Sequence, residues 1–209
     1  MNTIPKRPVQ EHFDTHAANY DGRWKLYLEN TQQEVLQYVH LKPGEQLLDV
    51  GCGTGLLLKR LAKRYPNCEL FGVELTPNMF SIAQQRLKDS AVKLFFGEAE
   101  RLPFLKERFD VVVCSSVLHY VDDPQAALQE MFRVLKSHGH LVLLDWNRDT
   151  LAAKLREHFY FRQFFKSHVK TYTLLELKDM LQKAGFSIVS EKRWQHKQWS
   201  LMLVKAEKA

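Results

Sequence analysis

One stretch of this chain limits its fold more than any other: Leu47-Leu48-Asp49-Val50-Gly51-Cys52-Gly53-Thr54-Gly55, followed directly by Leu56-Leu57-Leu58. An apolar run of strand length empties into a loop with three glycines, and a helical pattern starts at once. Glycine at Gly51, Gly53 and Gly55 lets the backbone turn tightly and approach a ligand where a Cβ would collide. The helix that follows points its free N–H groups at whatever the loop holds. Such a strand–loop–helix unit binds a nucleoside-containing cofactor, and an acidic residue roughly 20 positions on should hold the ribose. Glu74 meets that requirement, at the end of a second apolar run, Leu70-Phe71-Gly72-Val73.

The segment Leu48-Asp49-Val50-Gly51-Cys52-Gly53-Thr54-Gly55 resembles the first motif of the class I S-adenosylmethionine-dependent methyltransferases, in particular the subgroup that includes quinone-biosynthesis and other small-molecule enzymes. The nicotinamide fingerprint is Gly-x-Gly-x-x-Gly, whereas this loop is Gly-x-Gly-x-Gly preceded by Asp. The resemblance implies a three-layer α/β, Rossmann-like fold with a seven-stranded, mostly parallel sheet of order 3-2-1-4-5-7-6 and strand seven antiparallel. It implies S-adenosyl-L-methionine as cofactor, bound by Asp49, Gly51, Cys52, Gly53, Gly55 and Glu74. Gly97-Glu98-Ala99-Glu100-Arg101-Leu102-Pro103-Phe104 is similar to the family's adenine-binding turn, with Glu98 placed for the amino group, Ala99 for the ring, and Leu75 and Leu102 on its faces. Ser115 to Val121 matches the segment that passes under the methionine and faces the substrate, so Ser115 joins the cofactor set and His119 becomes the candidate base. Phe13-Asp14 and Tyr20-Asp21 resemble the N-terminal closing segment. Tyr20 then either meets the methionine end or packs with other aromatics on the core.

Periodicity predicts the remaining elements. Thr31 to His40 reads as a helix, 46–50 as strand one, Leu56–Tyr65 as the helix after the glycine loop, and Thr76-Pro77 as an N-cap with proline at N1. Strands follow at 93–96, 109–114 and about 141–146, with a helix from Asp123-Pro124 between the last two and Ser137-His138-Gly139 turning into strand five. Thr173 and Glu176 form a capping box for a helix over 174–184, and two strands close the chain at about 187–193 and 199–205. The whole of 1–209 reads as one domain, with an N-terminal cap over 1–30 and a helical insertion on the substrate side at about 147–170. That insertion crowds Phe159, Tyr160, Phe161, Phe164 and Phe165 among basic residues, more aromatics than one helix face can bury.

Composition narrows the function. The N-terminus has no apolar signal region, and no run reaches the roughly 18 apolar residues of a membrane span. Cys52, Cys68 and Cys114 are far apart and lack metal-ligand spacing, which points to free thiols in a reducing cytoplasm and to no metal site. Residues 1–150 carry 18 Lys/Arg against 19 Asp/Glu, whereas residues 151–209 carry 12 against 5. This basic last quarter suits an acidic or lipophilic small molecule first, an anionic membrane surface second and nucleic acid third, or it is only a solvated face. Strand four ends in neither Asn/Asp-Pro-Pro-Tyr/Phe nor Pro-Cys, the stations of nucleobase methylation. Oligomeric state is not legible. The expected function is methyl transfer to a small-molecule acceptor, with His119 and Tyr20 as the candidate catalytic residues and His119 as a base, a substrate contact or only a packing residue. The alternatives are a catalytically silent cofactor-binding partner and a nicotinamide oxidoreductase, the latter opposed by the glycine spacing.

Overall fold

The computed structural model describes residues 8–150 and 169–209. The elements in chain order are α1 (Pro8–His16), a 3-10 turn (Ala17–Asn19), α2 (Tyr20–Arg23), α3 (Lys25–Tyr38), β1 (Gln46–Val50), α4 (Leu56–Arg64), β2 (Glu69–Glu74), α5 (Pro77–Leu87) and β3 (Lys93–Phe96). They continue with β4 (Phe109–Ser115), a 3-10 turn (Leu118–Tyr120), α6 (Pro124–Val134), β5 (Leu135–Trp146), α7 (Leu174–Lys183), β6 (Phe186–His196) and β7 (Trp199–Lys208). The seven strands form one sheet in the order β3-β2-β1-β4-β5-β7-β6. Pairing is parallel from β3 to β5, and β7 runs antiparallel to both β5 and β6.

A parallel strand covered by helices on both faces needs an apolar middle, and Leu47–Leu48, Leu70–Val73, Val111–Cys114 and Leu141–Leu144 supply it in β1, β2, β4 and β5. One face packs Leu48, Val50, Phe71, Val112 and Leu141 against α6 and α7. The other packs Leu47, Val111, Val113 and Leu144 against Val35, Leu57, Leu58 and Leu61. Chain order reverses between β1 and β4, so a crevice opens beyond their C-terminal ends, where ligands of open α/β sheets bind.

Several boundaries differ from the expected ones. The helix expected from Thr31 begins at Lys25, because Tyr27 and Thr31 are buried and continue the inward stripe. Strand five begins at Leu135 rather than near Leu141, with an irregular step before Val111 pairs with His140, and His138 takes a left-handed φ of 63°. The closing hairpin is longer than expected, and a two-residue turn at Lys197 and Gln198 joins its arms. Thr76 stands at the start of α5 but makes no capping bond; its hydroxyl and N–H serve Glu74 instead. The Thr173–Glu176 capping box is present with both bonds. Residues 151–168, which hold most of the expected insertion and all of its aromatic run, lie outside the described residues. No helix among the described residues is long and apolar enough to cross a membrane.

Candidate active site

The crevice is built by backbone geometry before any side chain acts. Gly51 and Cys52 both donate their N–H to Val73 O, at 2.8 and 2.9 Å, which lashes the loop after β1 to the end of β2. Gly51 sits at φ +70°, and a Cβ there would stand 2.4 Å from a Val117 methyl, so only glycine fits. Gly55 occupies the N-cap of α4 at φ 76° with no side chain to cap it, which leaves the first-turn amides of α4 without a side-chain cap at the edge of the cleft.

Onto this frame the strands deliver two carboxylates. Glu74 is buried, and its oxygens accept the N–H of Gly53 at 2.9 Å and of Thr76 at 2.8 Å. Burial pushes its carboxyl above the usual carboxylate range despite those bonds, which pull the other way. Asp49 is 3% exposed, and burial, then the charge of Glu74, push its carboxyl up to about 8. An acid left neutral in this way regains its charge when a cation arrives.

The cleft is lined by Asp49, Gly51, Cys52, Gly53, Glu74, Leu75, Ala99, Ser115 and Tyr20, all expected from the sequence. Three other expected residues fall elsewhere. Gly55 packs against Ala83 and Leu87 behind the loop. Glu98 bridges to Arg101 and is not among the lining residues, and it is Glu100 whose position faces the cleft, because the turn after β3 closes on itself. Leu102 is buried but does not line the cleft either; its N–H goes to Glu130 at 2.8 Å.

The N-terminal helices cover one side. Gln10 reaches Leu75 O at 3.3 Å, and Asp14 accepts from the Asn78 backbone at 3.0 Å. Asp21 ties the cap to the glycine loop: Thr54 donates to it at 2.7 Å, and Arg86 pairs with it while also reaching Thr54 O at 2.6 Å. None of these ties was expected from the sequence, since each joins positions more than 30 apart. Tyr20 has its phenol pushed well above the usual range by burial first, then by Glu74 and Asp21, so it stays protonated and is no base.

A second pocket adjoins the first, walled by Phe13, Tyr20, Trp24, Tyr27, Tyr120, Trp146 and Trp199. Phe13, Tyr20, Ser116 and Tyr120 line both spaces and form the boundary, or neck, between them. Tyr27 shares a hydrogen bond with Ser116 Oγ at 2.6 Å, which holds Ser116 in its left-handed φ of 62°. His119 borders this pocket, fully buried, with Nδ1 2.5 Å from Asp145 Oδ1 and its ring stacked on Trp146 at 4.3 Å. The two ends of the 147–170 segment close at the same place: Asn147 bridges to Tyr172, and Lys170 donates its N–H to His119 O at 3.1 Å. Asp145 was missed in the sequence, although its signal matches that of Asp49, a carboxylate near the end of an apolar strand. Trp24, Trp146 and Trp199 carried no comparable signal.

Among the described residues no group of three or more His, Cys, Asp or Glu is placed to hold a metal. Cys52 and Cys114 are buried, with thiols pushed well up by burial first. Much of the described basic surplus is paired at the surface, Lys178 with Glu191, Lys192 with Glu34 and Arg193 with Asp149.

Comparison with known proteins agrees with this geometry. Residues 48–143 match the family model of a methyltransferase domain. A demethylmenaquinone methyltransferase of Lactobacillus johnsonii is 28% identical, over 90% of this chain and 88% of its own. A malonyl-[acyl-carrier protein] O-methyltransferase of Acetivibrio thermocellus is 29% identical, over 71% of this chain and 53% of its own. Among solved structures, a SAM-dependent methyltransferase of Thermotoga maritima superposes with a TM-score of 0.78 at 21% identity, covering 96% of this chain and 100% of that one.

Proposed function

We propose that this chain, whose residues 48–143 match the methyltransferase-domain family model, is a class I S-adenosylmethionine-dependent methyltransferase whose cleft beyond β1 and β2 holds S-adenosylmethionine and whose aromatic pocket holds a small-molecule acceptor. The observation that carries this reading is the neck of Phe13, Tyr20, Ser116 and Tyr120, the four residues that line both spaces and set them side by side. The cleft fits the cofactor by its donor set. Glu74 presents a carboxylate fixed by two amides at the spacing that suits ribose hydroxyls, and Asp49 supplies a second carboxylate for the cationic methionine end. Leu75 and Ala99 offer apolar contact to the adenine, with Ser115 and the loop residues Gly51, Cys52 and Gly53 around the sulfur end.

When bound, the sulfonium supplies an already activated methyl group, so the protein need not create an electrophile. Its task is to aim the accepting atom and exclude water, and positioning of this kind can lower a barrier by roughly 7–11 kcal/mol. The N-terminal cap serves that end by closing over the cleft through Asp21, Asp14 and Gln10. Tyr20, a neutral phenol at the neck, orients rather than deprotonates. The acceptor pocket is mostly aromatic, which suits an apolar molecule, and the names of both sequence relatives point to metabolite-sized or carrier-borne acceptors.

Calorimetry tests the assignment directly. The purified chain should bind S-adenosylmethionine and its demethylated product but not NAD. Glu74→Ala should lose about 1.5–3 kcal/mol of binding, at least tenfold in affinity, while remaining folded. Unchanged affinity in that variant would remove the assignment of the cleft.

A further inference from the structure

His119 is surrounded in an unusual way for a core histidine. Its Nδ1 meets Asp145 Oδ1 at 2.5 Å, and its backbone N–H reaches Asp145 Oδ2 at 3.3 Å. Asp145 is itself held by the Trp146 N–H at 2.6 Å, so the carboxylate cannot swing away. The opposite ring nitrogen, Nε2, is buried and has no hydrogen-bond partner. A buried polar atom left in this state is costly and calls for an explanation, and a ligand that completes the bond is one. Trp146 stacks on the ring and Tyr120 packs against it at a tilt, and the residue borders the acceptor pocket three positions after the neck residue Ser116.

We infer that His119 is the proton acceptor of the transfer and Asp145 its positioning residue, so that the acceptor is a protic group, an O–H or N–H that must lose its proton as it is methylated. This rests on the two-pocket reading of the site. The carboxylate accepts a hydrogen bond from the Nδ1–H of the neutral imidazole, which keeps that proton on Nδ1 and leaves the lone pair on Nε2. The acceptor gives its proton to Nε2 as its own lone pair bonds to the methyl carbon, and the electrons of the breaking C–S bond stay on sulfur. His119 ends as an imidazolium paired with Asp145 and returns the proton to solvent after release. The other groups on the pocket wall are poorer acceptors. Tyr20, Tyr27 and Tyr120 are held as neutral phenols by burial, and Arg23 is a cation. His12 and His16 stand on α1, stacked on each other at 4.7 Å, on the cap side of the pocket.

The test needs no natural substrate. 4-Nitrophenol, which turns yellow on ionising, is titrated at pH 6 into protein saturated with S-adenosylhomocysteine. Bound probe should show more of the phenolate band than free probe at the same pH. His119→Gln should abolish that excess while leaving calorimetric affinity for S-adenosylhomocysteine unchanged, and Asp145→Asn should reduce it. Nitrogen-15 spectra of labelled histidines in the unmutated protein should give His119 as the Nδ1–H tautomer, a reading independent of whether the variants fold. The Nε2–H tautomer, no excess phenolate, no saturable binding of the probe, or an excess that survives His119→Gln but is lost in His12→Gln would each overturn the inference. Failure to bind S-adenosylhomocysteine would instead bring down the two-pocket reading beneath it.

Discussion

The two halves of the site are made by different physics. The cofactor cleft is a backbone construction. Its loop hangs on Val73 O by two amides, its key carboxylate is pinned by two more, and its residues come from three neighbouring strands. The acceptor pocket is a side-chain construction. Its walls come from α2, α3, the loop after β4, the end of β5 and the turn of the β6–β7 hairpin, and they meet ring to ring, Trp24 on Trp199 at 6.2 Å and Tyr27 on Trp199 at 5.2 Å. Backbone hydrogen bonds in a parallel sheet tolerate little variation, whereas aromatic packing can be exchanged at similar volume. The cleft is therefore the part least open to substitution, and the pocket the part most open to it.

That contrast can be broken at graded cost. The largest effect is expected for Gly51→Ala, which places a Cβ 2.4 Å from Val117 at a φ of +70°. Strain of this kind, with the clash added, should destabilise the chain by more than about 3 kcal/mol and abolish cofactor binding, measured as the urea midpoint and by calorimetry. Full stability in this variant would mean that side chains, not the loop backbone, hold the cleft. Next comes the proton held by Asp49. Its carboxyl is pushed up to about 8 in the folded chain, against about 3.9 when unfolded. The folded state then binds the extra proton between those values. Its contribution to the stability of the ligand-free protein is full below about pH 4 and is lost as the pH rises toward 8. Binding a cationic ligand expels that proton, so affinity for S-adenosylmethionine should rise with pH across 6 to 8, by up to about tenfold per unit. Calorimetry in buffers of different ionisation enthalpy should report the released proton, and Asp49→Asn should remove the pH dependence. The smallest effect is expected for Trp199→Leu, which opens the acceptor wall and should change cofactor affinity by less than about twofold. A tenfold change there would show that the two spaces are not energetically separate.

The same division explains how much of the molecule was legible beforehand. Strand order and most helix positions follow from periodicity and turn residues, which act over a few residues at a time. Asp49, the glycine loop and Glu74 were legible because strand, loop and strand fix their spacing along the chain. Glu98 was misplaced relative to the cleft because the turn after β3 bonds to itself, and a one-turn difference in a loop moves a side chain off the wall. Asp145 and His119 are 26 residues apart, and only the register Ser115 to Leu144 brings their strand ends together. Trp24 and Trp199 are farther apart still. No local pattern says that they will touch, since either could serve any core.

The ring contact between Trp24 and Trp199 also has a consequence in time. It joins the first quarter of the chain to its last hairpin, while Asp49 and Glu74 are joined by a single strand–helix–strand unit. Closing the longer span costs on the order of 1–2 kcal/mol more chain entropy, and Trp199 starts a strand that lies between β5 and β6. The carboxylate pair beside β1 and β2 is thus set by contacts near in sequence, whereas the aromatic wall waits on contacts between the two ends of the chain.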